Sequence, residues 1–155
     1  MPSTANFNLP YPSPQDAPDG ASQIRALAEA VDQALVLNDT GTQTNMGLQI
    51  ASGWQLIEKV HRVIGKICFF RLYVTRTGPT LTGVGGNLPD TLIATITDPA
   101  LRPAFFQVAA LRASSTGGTV QLSDVTGDIT LVDIHTSGEI ETGENAQMNF
   151  VYPLP

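Results

Sequence analysis

The hydrophobic period of this chain changes once. From Ala21 to Leu37 apolar residues recur at Ile24, Leu27, Val31 and Ala34, with Ala28 and Leu35 widening the stripe. Arg25, Glu29, Asp32 and Gln33 lie off it. This 3-4-3 spacing is the signature of an amphipathic helix, expected over residues 21–37. Asp16 and Asp19 are candidate N-terminal acceptors, and Pro18 suits a helix start. A lone helix of this length is marginal in water, so the stripe needs a partner. The partner is either the chain's own β-region or symmetry-related copies in a short bundle. The alanines flanking the stripe permit close helix approach and favour the bundle, with Ile24, Leu27, Val31 and Leu35 as its oligomerisation residues.

After a polar, turn-rich junction at residues 38–53, the period becomes two. Between Lys66 and Arg76, Cys68, Phe70, Leu72 and Val74 fall on one face, and Ile67, Phe69, Arg71, Tyr73 and Thr75 on the other. Leu92, Ala94 and Ile96 alternate with Thr91, Thr95 and Thr97. Val120 and Leu122, Ile129 and Leu131, and Met148, Phe150 and Tyr152 alternate with polar neighbours. Gly65-Lys66 reads as a tight hairpin turn, and Gly117-Gly118, Gly127-Asp128 and Gly143-Glu144 as further turns. A short strand is expected within Met46–Ala51. The pattern predicts a mainly β fold: an antiparallel β-sandwich or jelly-roll head over residues 54–155. Trp54, the single tryptophan, reads as an anchor at its base.

Residues 1–20 contain five prolines, at 2, 10, 12, 14 and 18, which fix φ and bias their predecessors toward extended backbone. Phe7, Leu9 and Tyr11 are spaced by two and share one side of an extended chain. The segment is either a solvated tail or an anchoring arm, and the three apolar residues favour an arm that docks on a neighbouring subunit.

Composition narrows the function classes. Only 14% of residues are charged, against roughly 25% in an ordinary soluble domain, so Thr, Ser, Asn, Gln and Gly must supply the polar surface. The net charge of −6 comes with eight scattered Lys and Arg and argues against nucleic-acid binding, which needs several cations on one face. No apolar run is long enough for a membrane span, and the N-terminus lacks the pattern of a secretory signal. The single Cys68 sits in an apolar run and reads as a buried hydrophobe.

The chemistry-bearing residues are few. His61 and His135 lie far apart and, with one Cys, fall short of the ligand set of a zinc site. Glu139, Glu141 and Glu144 read as a solvated acidic loop rather than a calcium site. The Gly-rich run Thr77–Asn87 lacks the Lys-Ser/Thr ending of a phosphate loop and reads as a flexible apical loop suited to partner contacts. Ser114-Ser115 has no nucleophile-elbow context. No catalytic residue, metal or cofactor is expected, so the chain reads as a non-enzyme. Trp54, Tyr73, Gly85, Gly86 and Asn87 are the candidate contacts for a receptor or glycan.

The stretches Asn6–Pro14, Ala17–Gly20 and Ile24–Asp32 resemble an N-terminal module of minor structural proteins of tailed bacteriophages, those infecting actinobacteria in particular: a Leu-Pro-Tyr-Pro arm and a Leu-Ala-Glu-Ala-Val-Asp helix. The stretches Lys59–Lys66, Ile93–Ile96 through Leu101–Pro103, and Asn149–Tyr152 resemble the C-terminal heads of phage tail-fibre and appendage proteins, which are usually trimeric β-sandwich knobs. The resemblance implies a virion protein: a homotrimer whose arm docks on other virion proteins and whose head meets a host-surface glycan. The short helix-to-head junction leaves open a short tail spike, a fibre tip or a capsid decoration protein. A separate reading, of a different class, is a carbohydrate-binding β-sandwich module that stacks a sugar on Trp54, Tyr73 or the Gly-rich loop.

Overall fold

The computed structural model describes residues 9, 11, 20–37 and 39–155. Phe7 and most of the expected arm lie outside the described residues, as does the side chain of Leu35. The chain divides into two compact units, residues up to Thr40 and residues from Gly41 onward.

In the first unit, helix α1 spans Gly20–Leu37, one residue longer than expected. Its first turn carries no acidic residue and its last no basic one, so no charged side chain within those turns complements the helix dipole; the candidate acceptors Asp16 and Asp19 lie outside the described residues. Arg25 and Glu29 form an exposed i,i+4 pair at 2.7 Å, contributing only a few tenths of a kcal/mol. The helix therefore depends on whatever covers its apolar stripe.

The second unit is mainly antiparallel β, as the alternation predicts. Its strands are β1 Leu48–Ile50, β2 Trp54–Ile64, β3 Ile67–Arg76, β4 Leu81–Thr82, β5 Asn87–Ile96, β6 Gln107–Ala113, β7 Gly117–Leu122, β8 Asp128–Ile134, β9 Glu139–Ile140 and β10 Asn145–Pro153. Eight of them form one continuous sheet in the order β1-β5-β8-β7-β6-β10-β3-β2. The sheet curls almost into a barrel. Its seam is spanned by residues 43–50: Gln43 exchanges both backbone hydrogen bonds with His61 of β2, at 2.8 and 2.9 Å, while β1 pairs with β5. Curling removes most of the exposed strand edge that an open sheet would present. β4 and β9 pair separately, with Leu81 opposite Ile140, and Ile140 is fully buried in the core.

The inward residues are largely those the period selects. Cys68, Phe70, Leu72 and Val74 of β3 and Ala146, Met148, Phe150 and Tyr152 of β10 are buried. The Phe70 and Phe150 rings stack with centroids 6.1 Å apart. Tyr152 donates its hydroxyl to the Leu101 carbonyl at 2.8 Å. Gly65 has φ 60° in the two-residue turn between β2 and β3, where the left-handed region suits glycine.

Three expectations are corrected. Leu92 is exposed, because a register shift against β8 turns Ile93 and Ala94 both inward. Gly117-Gly118 is not a turn but the start of β7. A Cβ on Gly118 would collide with the Asp133 carbonyl where β8 bulges. The run Thr77–Asn87 is an organised ribbon held by β4–β9 pairing, by the Thr142 hydroxyl on the Gly78 carbonyl, and by paired backbone bonds between Val84 and Asn87.

Candidate functional site

The head carries a buried cation. Arg76 ends β3 and is almost wholly buried. Its Nε and Nη2 donate to the Pro79 carbonyl at 3.0 and 2.9 Å, and Nη1 donates to the Gly53 carbonyl at 3.2 Å. The guanidinium lies 4.9 Å from the centre of the Trp54 ring, a cation–π contact. Burial lowers the Arg76 pKa from its ordinary value. Gly53 and Gly78 leave the space this side chain fills. Trp54 is only 5% exposed, so it is not a ligand-stacking surface. It is the anchor the sequence suggests, with Arg76 as its partner.

His61 points into the barrel, and its Nδ1 is buried without a hydrogen-bond partner. Burial lowers its pKa, reinforced by the charge of Lys59 and opposed by a backbone bond with Gln43. Cys68 is buried and its thiol pKa is raised, first by burial. Among the described residues, no group of three or more His, Cys, Asp and Glu is placed to hold a metal ion. No described helix is long and apolar enough to cross a membrane.

Two surfaces stand out on the head. The first is apolar. On the outward faces of β2, β3 and β10, Ile64 pairs with Ile67, Ile67 with Pro153, and Phe69 with Val151. Phe69 is 43% exposed and Val151 60%. A hollow of about 260 Å³ lies beside them, rimmed by Thr42, Val60, Arg62, Arg71 and Asn149. Arg71 is held by Glu58 at 2.9 Å. Five of the chain's eight basic residues, Lys59, Arg62, Lys66, Arg71 and the buried Arg76, belong to this one hairpin.

The second surface is polar and lies farther along the same strands. Antiparallel register sets Tyr73 of β3 beside Gln147 of β10, Gln147 beside Arg112 of β6, and Arg112 beside Gly117 of β7. All four share the outward face. Tyr73, Arg112, Ser114, Asn145 and Gln147 line a hollow of about 210 Å³. On the other side of Arg112 a wider cleft of about 580 Å³ is lined by Ser114, Ser115, Thr116, Gly117, His135 and Ser137. Gly117 offers no side chain opposite Arg112, which leaves this cleft open.

The cleft walls are the β6–β7 turn and the loop after β8, each fixed by short-range bonds. The His135 N–H donates to the Gly117 carbonyl at 2.8 Å, and the Gly138 N–H to the His135 carbonyl at 2.7 Å. Gly138 packs so closely on Thr116 that a Cβ there would collide with its hydroxyl. The Glu144 carboxylate accepts from the backbone N–H and hydroxyl of Ser115 and from the Glu141 N–H. Burial raises the Glu144 pKa, but these hydrogen bonds outweigh it and the net shift is downward. The expected acidic loop is therefore a clasp on the cleft wall, and Ser115 is paired with a carboxylate rather than an imidazole.

Of the candidate contact residues, only Tyr73 lies in this polar groove. Gly85, Gly86 and Asn87 form a separate tight turn, with φ 64° and 90° at the two glycines. Arg112, Gln147, Asn145 and His135 were not legible as a group, because strand register brings the first three together and the loop after β8 brings His135 to Gly117. In the first unit, Ile24 is 70% exposed, Leu27 41% and Val31 38%. Of the residues expected to form an anchoring arm, Tyr11 is exposed and Leu9 partly buried. No protein-family model matches this chain, and no curated protein matches it.

Proposed function

We propose that this chain is a self-assembling structural subunit: a short homotrimeric appendage of a tailed-phage particle, with α1 as a three-helix neck and the β-barrel as a projecting head. The observation that carries this reading is the exposed stripe of Ile24, Leu27 and Val31 on α1. An 18-residue helix is marginal alone in water. Burying a Leu- or Ile-sized side chain contributes about 1.5–3 kcal/mol, so packing copies of the stripe together stabilises helix and assembly at once. The likeness of residues 6–32 to phage structural modules supports the virion setting, and the usual trimeric state of such heads supports the number three. The exposed Ile67, Phe69 and Val151 face adds a second apolar surface of the kind that marks protein contacts.

The test is the mass of the full-length protein in solution by light scattering. The expected mass is three times that of the 16.4 kDa chain. A monomer at micromolar concentration overturns the reading. Immunogold labelling of particles with an antibody to the head then places it. Labelling at the tail tip supports a spike, labelling over the capsid supports a decoration protein, and unlabelled particles overturn the virion assignment.

A further inference from the structure

We infer that the groove centred on Arg112 is a binding site for a carbohydrate bearing a single carboxylate. This deepens the reading of the β-barrel as a projecting head and rests on that reading, but it uses residues other than those of the neck. Each part of the groove meets one requirement of such a ligand. Tyr73 is half-buried at one end, leaving part of its ring for the apolar face of a sugar. Gln147, the next residue in its cross-strand row, presents an amide that both donates and accepts. Asn145 has its Oδ1 occupied by the Thr75 hydroxyl at 2.7 Å, which leaves its NH₂ as donor. On the far side of Arg112, the hydroxyls of Ser114, Thr116 and Ser137 and the His135 ring line the wider cleft.

Arg112 stands exposed between the two hollows, shared by both linings. Its planar fork matches a carboxylate with two parallel hydrogen bonds. The surroundings set the ligand's charge. Among the described residues Arg112 is the only Lys or Arg lining either hollow, Glu139, Glu141 and Glu144 lie on β9 and the turn that follows it, and the whole chain carries −6. A polyanion would be repelled, whereas one carboxylate opposite Arg112 is balanced. The cleft is also pre-formed, because Gly138 lets the two loops close together and Glu144 clasps Ser115. Less side-chain ordering is then needed on binding.

Titration calorimetry on the full-length protein tests the site, with 3′-sialyllactose and a glucuronic-acid disaccharide as two carboxylate probes and lactose as the neutral control. Binding of either acidic probe, with lactose at least about tenfold weaker, supports the proposal and shows which acidic sugar fits. Arg112→Gln should then weaken the acidic probe about tenfold or more and leave lactose unchanged. Gln147→Ala, beside Arg112 in the row, should weaken both. No binding of any probe at 10 mM (roughly the millimolar limit of weak recognition) overturns the proposal. So does acidic-probe binding unchanged by both substitutions, or lactose binding as tight as the acidic sugars. Arg112 is exposed and outward-facing, so the fold should tolerate its replacement. The mass by light scattering should stay that of the parent protein, which separates failure of this site from failure of the assembly reading.

Discussion

Arg76 and His61 are polar residues buried in the head, and each gives a stability prediction. Arg76 satisfies two carbonyls, Gly53 and Pro79, and covers the Trp54 ring. Arg76→Ala orphans both acceptors and opens the space that Gly53 and Gly78 keep for the guanidinium. It should destabilise the head by about 2–4 kcal/mol, read from urea unfolding. Arg76→Lys should recover only part, because an ammonium cannot reproduce the fork. A neutral Arg76→Ala would show that the buried cation contributes nothing net. His61 gives a pH dependence. Its pKa is lowered on folding from 6.5, so below that value the unfolded chain binds more protons than the folded one. The stability due to neutral His61 is fully present above about pH 6.5 and falls with acidification as pH approaches and passes the lowered folded value. The urea midpoint should therefore drop between pH 7.5 and pH 5.5, and His61→Phe should flatten that part of the curve. An equal drop in both proteins would assign the dependence to other groups.

At the scale of the element, legibility followed locality. β3 and β10 could be read strand by strand because alternation over consecutive residues is a local signal, and so could the Gly65-Lys66 turn. Leu92 and Gly118 could not, because each depends on a register shift across a strand pair, β5–β8 for Leu92 and β7–β8 for Gly118, which alternation along one strand does not reveal. Trp54 was readable as an anchor, but its partner Arg76 was not, since that contact closes over the β2–β3 hairpin. The groove was the least legible feature. Tyr73, Gln147 and Arg112 come from three strands and share a row only through their register. The same distinction predicts unequal effects of glycine substitution. Gly118→Ala drives a Cβ against the Asp133 carbonyl and should destabilise by about 2 kcal/mol or more. Gly85→Ala meets open space and bears only the left-handed backbone strain at φ 64°, about 1–2 kcal/mol. If Gly85→Ala proves the more damaging in thermal melts, the close approach at the β8 bulge is not what fixes Gly118.

For the whole molecule, the two units have opposite needs. Residues 41–155 enclose one apolar core within a nearly closed sheet, so the head should fold without α1. The helix cannot hide its own stripe and should order only with partners. Leu27→Asp places a charge in the middle of that stripe and should convert the proposed trimer to monomers in light scattering while leaving cooperative unfolding of the head intact. The melting temperature of the parent protein should rise with protein concentration, because association stabilises the folded state by mass action, and that of Leu27→Asp should not. Deleting residues 1–40 provides the decisive control. A monomeric, cooperatively folding 41–155 fragment assigns assembly to the first unit. A fragment that remains trimeric moves the principal contact to the head, where Ile67, Phe69 and Val151 are the exposed apolar residues able to make it. In that case Phe69→Glu, rather than Leu27→Asp, should release the monomer.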